Sequence, residues 1–515
     1  MKILKKIISV VLLSVVLSSC EKEFLEVSPT DAFDKQSMFT TLEGANLALN
    51  GMYRYMFALP PGFGRTDNFG HSATLLEMDF MGDDMVRNAS GTGWFVGAVN
   101  WTQHRSAVNI PLRDRWRFYY ALINNANQII NNIDGVPGSQ AVKDNIEAQA
   151  LAMRAFSYYY LVQLFSPAFT LNPNAPGVPI YTETTMTGNP RAPLSEVYNR
   201  ITTDLTDAIA LFAGNNMQRH RSHINLAVAH GLFARVGLAM GNFAMALQHA
   251  TSAITIAEAS GRALFFPAVV NIPNDGGFAT HSAVNVGSVF NTVAGSEWMW
   301  GSEIQEDQAT IFASLMAHMD SRFLSHASSG NRPRISQALY NLIPLTDVRR
   351  THWVPVNQGV GAVSQLSQLK FGVRAVGTWA ADVLYMRLAE MYLIRAEAAA
   401  RLGGAANETI AREALFSLVS RRDPAYVLSI NTGAALIDEI MFHRRVELWG
   451  EGFRFIDLKR LNLPLVRPTA GTLNHSAALA VVTTMPAGDN RWVWMIPISE
   501  FDANPKLDRI ADQNP

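Results

Sequence analysis

Residues 224–257 read INLAVAHGLFARVGLAM, then GNF, then AMALQHATSAITIA: two apolar helical runs parted by three residues. Small residues (Ala234, Gly237, Ala246, Ala250 and Ala253) recur where two such helices have to approach closely, and Gly241 with Asn242 supplies the turn. A helix pair of this kind keeps an apolar face that only a neighbouring pair can cover. The rest of the chain is therefore expected to provide neighbours.

It does so in at least two other places. Residues 112–133 and 143–165 are amphipathic stretches divided by DGVPG, whose Gly and Pro cannot continue a helix, and periodicity also runs from about Leu42 to Phe57 until PPGFG stops it. AMRAFSYYYL around Arg154, LFARVGLAMG around Arg235 and LIRAEAAARLGG around Arg395 form a weak internal repeat, each with an Arg beside an Ala. The pairs resemble the tetratricopeptide pattern. The fold expected is mainly α: a scaffold of tetratricopeptide-like helix pairs from about 41–57, 112–258 and 383–460, with a few short strands. Residues 60–111 and 260–380 are rich in Gly, Asn, Ser, Pro and Thr and read as a large irregular, loop-rich half, apart from a helical piece at 309–315. Loops on a rigid scaffold are where binding residues tend to lie.

The chain has 515 residues, is 48% hydrophobic and carries a formal charge of −1 from 42 basic and 43 acidic side chains. That excludes disorder and gives no basic field for nucleic acid. MKILKK precedes an apolar run, residues 7–17, and then Ser18, Ser19 and Cys20, the layout of an export signal. The run is about half the roughly 20 residues needed to span a bilayer. Residues 1–19 are thus expected to be a signal peptide, 20–40 a leader and 41–515 a single body. Cys20 is the only cysteine and stands at the cleavage point. LSSC resembles the lipobox of bacterial lipoproteins, whose cysteine is acylated, so Cys20 is the expected lipidation site and the mature protein is tethered to the membrane.

Residues 444–460, RRVELWGEGFRFIDLKR, combine eight charges with bulky apolar residues. Plotted as one helix, Val446, Trp449, Phe453 and Ile456 gather on one face and Arg444, Glu447, Glu451 and Arg454 on another, with Gly450 and Gly452 marking a bend or close contact. Glu447 and Glu451 could be an acid and base pair. Catalytic carboxylates need environments that separate their pKa values, however, and arginines bracket both of these, so the segment reads as an ion-pair brace.

Residues 439–460, EIMFHRRVELWGEGFRFIDLKR, resemble the C-terminal signature of the SusD/RagB family. LSSC with EKEFLEVSP, AMRAFSYYYLVQLF, DVRR at 347–350, residues 385–403 and WMIPISEFDANPKLDRIADQNP at the end follow in the family's order. One departure is His443-Arg444, where the family usually has Glu-Arg. The resemblance implies an outer-membrane lipoprotein, facing the cell exterior, that captures nutrients. Mostly these are glycans, sometimes peptides. It also implies delivery to a SusC-like TonB-dependent transporter, with no catalysis.

Sugar rings present apolar faces rimmed by hydroxyls, so a binder needs exposed aromatic planes and planar polar side chains. DDMVRNASGTGWFVGAVNWTQHR, residues 83–105, offers both: Trp94 and Trp101 with Asp83, Arg87, Asn100, Gln103 and Arg105. Trp353 and Trp379 are secondary candidates; Trp298, Trp300, Trp449, Trp492 and Trp494 read as packing. A glycoside hydrolase would have to draw on Glu77, Asp79, Asp83 and Asp84. No metal-ligand spacing is present, and neither metal nor cofactor is expected.

Overall fold

The computed structural model describes residues 38–58, 65–87, 89–214, 220–265, 290–321, 324–356, 364–374 and 379–515. The signal run, Cys20 and most of the leader lie outside the described residues, as do PPGFG and parts of the 260–380 region.

The helices run α1 (Leu42–Tyr55), α2 (His71–Met81), α3 (Ile110–Asn132), α4 (Gln140–Phe165), α5 (Leu194–Ala213), α6 (Leu226–Met240), α7 (Phe243–Ala259), α8 (Leu388–Leu402), α9 (Ala405–Val419), α10 (Gly433–Glu447) and α11 (Arg454–Arg460). From α3 to α9 each packs on the next, and α8 takes its place beside α7 after the chain's excursion through 260–387. The molecule is mainly α with a tetratricopeptide-like scaffold. Of its short antiparallel strand pairs, β1 (Met85–Val86) with β3 (Arg334–Ile335) joins the two stretches of the irregular part, and β2 (Trp298–Ser302) with β4 (Val383–Arg387) ties it to the start of α8.

The α6–α7 turn forms as its residues dictate. Gly241 adopts φ +69, a left-handed conformation that costs a glycine little. The Asn242 side chain then caps α7 by accepting from the Met245 N–H at 3.1 Å. A Cβ on Gly237 would lie 2.7 Å from the Ala246 nitrogen, so the two helices touch backbone to backbone. The repeated arginines are buried ion-pair partners: Arg154 with Asp204 at 2.7 Å and Arg235 with Glu390 at 2.6 Å. Arg395 breaks the pattern. It stays half-buried, and Glu397, two residues on, pairs instead with Arg460 at 2.7 Å.

Three expectations need correction. Residues 71–81 are not irregular but form α2, in which all eleven residues are buried. A helix covered on every side has no polar stripe, so it shows no amphipathic period. The piece at 309–315 is not helical; a five-residue helix begins only at Leu315. Residues 444–460 are not one helix either, since α10 ends at Glu447 and the chain turns through Gly450 (φ +81) and Gly452 (φ +83) before α11. A Cβ on Gly452 would stand 2.8 Å from Leu75 Cα, which fixes this turn against α2.

The turn holds a buried ionic cluster. Glu447 meets Arg387 at 2.6 Å, Arg422 at 2.9 Å and Arg349 at 3.1 Å, while Glu451 meets Lys370 at 2.5 Å and Arg387 at 2.8 Å. Glu297 joins Arg387 and Arg422, and Asp347 joins Arg349, so four carboxylates face four cations. The partners come from across the chain and not from the local Arg444 and Arg454, which bind Asp457 and Asp83. His443, at the family's usual Glu position, lies 2.9 Å from Arg349, and Glu447 accepts from the same guanidinium at 3.1 Å. Burial by itself would raise the Glu447 carboxyl, but Arg422, Arg387 and Arg349 outweigh it and hold it well below the usual range. Burial lowers the Lys370 amine to about 8.

Two predictions follow from this packing. Gly237→Val should lower the unfolding free energy by about 1–3 kcal/mol, because added volume must part α6 from α7. Gly51→Ala, on the exposed face of α1 with nothing within 4 Å of the new Cβ, should raise it by about 0.5–1 kcal/mol. Urea unfolding of both variants checks the opposite signs.

Glu447→Ala should cost about 3–5 kcal/mol, since it strands buried guanidinium groups. Acid should act in the same sense on the wild type. Folding depresses Glu447 and Glu451, and Glu397 to about 2, against an unfolded value of about 4.3. Their contribution is complete above about pH 5 and is lost as pH falls through the folded values. Stability measured from pH 6 to 2 should fall steeply in the wild type and less so in Glu447→Ala.

Candidate functional site

The segment after α2 is fixed at its base by charge. Asp83 pairs with Arg454 at 2.6 Å and Asp84 with Arg445 at 2.5 Å, so the chain leaves α2 clamped to the turn just described. The β1–β3 pairing follows, and then Arg87 curls the loop. Its guanidinium, 1% exposed, donates to the carbonyls of Ala89 (2.9 Å), Ser90 and Trp94. Burial lowers Arg87 to about 10, and carbonyl oxygens take the place of the water it loses.

This loop carries Trp94 to the surface, half-buried. The Arg65 guanidinium lies 4.9 Å from the Trp94 ring centre and is oriented by a two-bond pair with Asp67, both at 2.9 Å. His326 meets Trp94 edge to face at 6.1 Å, and Phe312, 41% exposed, lies 5.3 Å from His326. Beneath them His318 stacks on His326 at 4.6 Å and Phe69 on His318 at 5.3 Å, continuing the rings into the core. Burial lowers both imidazoles, His318 to about 3, so at ordinary pH they are neutral flat rings. The result is an aromatic strip in which the surface rings Trp94 and Phe312 flank the buried His326, with a cation at one end.

Several residues expected at this site do not reach it. Trp101 is 2% exposed; its indole donates to the Met81 carbonyl at 3.0 Å and packs on Trp492 at 4.9 Å, so it is core. Gln103 is buried and donates to Glu77. Asp83 and Arg87 are consumed in the contacts above. Arg105 reaches the Val493 carbonyl at 2.8 Å and the carbonyl of Pro515. Trp353 is fully buried, whereas Trp379 is half-buried. Trp94 and Asn100 thus remain accessible from the original set. Phe312, His326 and Arg65 were missed: nothing in the local pattern separates an exposed Phe from a core one, and the three come together only through the fold.

The carboxylates available to a hydrolase are otherwise engaged. Glu77 binds Arg115 at 3.0 Å, Asp79 accepts from the Gly452 N–H at 2.8 Å, and the opening beside Asp79 and Asp84 is about 10 Å³, too small for a sugar. Among the described residues no three His, Cys, Asp or Glu side chains converge as metal ligands would.

Residues 71–238 match a family profile described as "Starch-binding associating with outer membrane", and residues 365–515 match one described as "SusD family". "SusD-like protein P2" of Formosa agariphila is 27% identical over 243 residues, which is 47% of this chain and 45% of that relative's length. A crystal structure of a SusD-like carbohydrate binding protein from Bacteroides vulgatus superposes with a TM-score of 0.76 at 24% identity, covering 91% of this chain and 97% of the other. Surface glycan-binding protein A from Bacteroides fluxus gives 0.69 at 20% identity, over 92% and 99%. At such identities the superpositions establish the fold alone. The two profiles match in chain order over more than half of the sequence, with α2 to α5 inside the first and α8 to α11, including the signature turn, inside the second; the chain belongs to the SusD/RagB family.

Proposed function

We propose that this chain is a non-catalytic surface binding protein that captures a glycan and passes it to a SusC-like TonB-dependent transporter. The observation that carries the reading is the pair of surface rings Trp94 and Phe312 on either side of the buried, neutral His326, with the fixed Arg65 fork beside Trp94. Pyranose rings stack their C–H faces on such planes while a guanidinium hydrogen-bonds their hydroxyls. The names of the relatives, a carbohydrate binding protein and a surface glycan-binding protein, support this ligand class. The commitment of Glu77, Asp79, Asp83 and Asp84 to internal contacts supports binding without hydrolysis. Cys20 at its lipobox supports a lipid anchor in the outer membrane, and among the described residues no helix is long and apolar enough to cross a membrane.

The test is a titration of the soluble chain, beginning after Cys20, against panels of oligosaccharides and peptides by calorimetry. Trp94→Ala and Phe312→Ala should each weaken binding of the best glycan about ten- to thirtyfold, the size expected for a central aromatic anchor. Chromatography of the bound glycan should show no cleavage. Full affinity in both variants, or a ligand found only among peptides, would remove the glycan reading.

A further inference from the structure

A groove of about 490 Å³ lies on the helical scaffold, between the chain leaving α7, one side of α8 and the end of α9. It is separate from the aromatic strip, since none of its lining residues falls in 65–94 or 310–330. Apart from Leu264, those residues are half-buried or exposed, so their side chains have surface to offer a ligand.

The groove is short of negative charge. Arg262 and Arg421 stand in the lining against a single acid, Glu258, and that carboxylate already accepts from the Tyr392 hydroxyl at 2.6 Å. Arg262 is half-buried, and among the described residues its guanidinium has no carboxylate partner; burial and the neighbouring Arg221 lower it to about 10. The Arg421 guanidinium lies 3.5 Å from the Leu264 carbonyl, and Arg395 acts together with Arg421 on Tyr392. A cleft lined mostly by one sign of charge concentrates the opposite sign from solution.

The remaining lining suits a sugar. Phe416, 36% exposed, and Tyr392 supply ring surface. Ser417 and Ser420 donate to carbonyls one turn back at 2.8 Å and 2.6 Å, so their oxygens keep lone pairs for a hydroxyl donor.

We propose that this groove is a second ligand site that takes an acidic sugar, one bearing a carboxylate or a sulfate ester. The inference rests on the glycan reading above and deepens it, adding an anionic residue of the glycan to the neutral rings held by the strip. The volume lies in the range of small-molecule sites. A guanidinium is a planar fork that pairs with two oxygens of one anion, which neither a neutral hydroxyl nor an ester reproduces. An acidic peptide would match the arginines but would bring no sugar ring to Phe416.

The probes are the methyl glycosides of glucuronic acid, of its methyl ester, of glucose and of glucose 6-sulfate, with triglutamate and inorganic sulfate beside them, titrated into the soluble chain and followed by NMR. The glucuronide or the 6-sulfate should bind about tenfold or more tighter than the glucoside and the ester, and whichever binds names the anion. Arg262→Gln should weaken that binding about tenfold or more, and Phe416→Ala about three- to tenfold, both with unchanged melting temperature. Trp94→Ala should leave it intact. Equal binding of glucuronide and glucoside, triglutamate or sulfate binding as tightly as the acidic glycosides, or indifference to Arg262→Gln overturns the proposal. The two readings fail separately. If Trp94→Ala loses affinity for a neutral oligosaccharide while neither acidic glycoside binds, the groove alone is wrong; if the acidic glycosides bind through Arg262 while Trp94→Ala loses nothing, the strip is wrong and the groove stands.

Discussion

The interaction on which this architecture depends is the contact of Glu447 with Arg349, Arg387 and Arg422 in the interior. Those arginines lie on segments far apart in sequence, and Glu297, Asp347, Glu451 and Lys370 complete a cluster with equal numbers of either charge. Such a cluster is a poor source of net stability, because desolvating the ions costs about as much as their attraction returns. It is a strong geometric constraint all the same. Each member is tolerable only while its partners are in place, so the segments carrying Arg349, Lys370, Arg387 and Arg422 have one arrangement about α10.

The constraint reaches the loop that carries Trp94 through the turn that follows. Gly452 packs on Leu75 of α2 and donates its N–H to Asp79, and Arg445 and Arg454 of the same region clamp Asp84 and Asp83. The loop after α2 is thus held at its base by the brace and along its length by Arg87. Phe95 and Trp101 adopt positive φ, which costs a bulky residue about 1–2 kcal/mol each. Their burial, with the Trp101 indole bonded to Met81, offsets the strain. A loop fixed in this way presents Trp94 without having to order it on binding, and the entropy of ordering is a main cost of recognition.

The sequence disclosed the features that rest on local periodicity and on turn chemistry. The α6–α7 pair was legible because Gly237, Gly241 and Asn242 act on near neighbours, and the brace because its charges sit among apolar residues where they need partners. α2 was not legible, since a helix buried on every side has the texture of a loop rich in mixed residues. Trp101 and Gln103 misled for a related reason: an aromatic in an irregular stretch looks exposed until the backbone is seen to fold it inward at φ +58. Phe312 and His326 could not be found at all from their own surroundings, because what groups them with Trp94 is the approach of residues 310–330 to residues 89–95.

The same economy of charge bears on what kind of recognition the strip can perform. Glu77, Asp79, Asp83 and Asp84 sit close in sequence to Trp94 yet spend their hydrogen-bonding capacity on Arg115, Gly452, Arg454 and Arg445. His318 and His326 are buried and pushed by that burial toward the neutral form, so they support Trp94 and Phe312 from beneath and add no charge. The cation beside Trp94 is the Arg65 fork, itself half-neutralised by Asp67. A surface of neutral planes with one tempered cation discriminates by shape and by hydroxyl placement, not by net charge. That is the physical requirement that the proposed capture of uncharged sugar rings places on the surface.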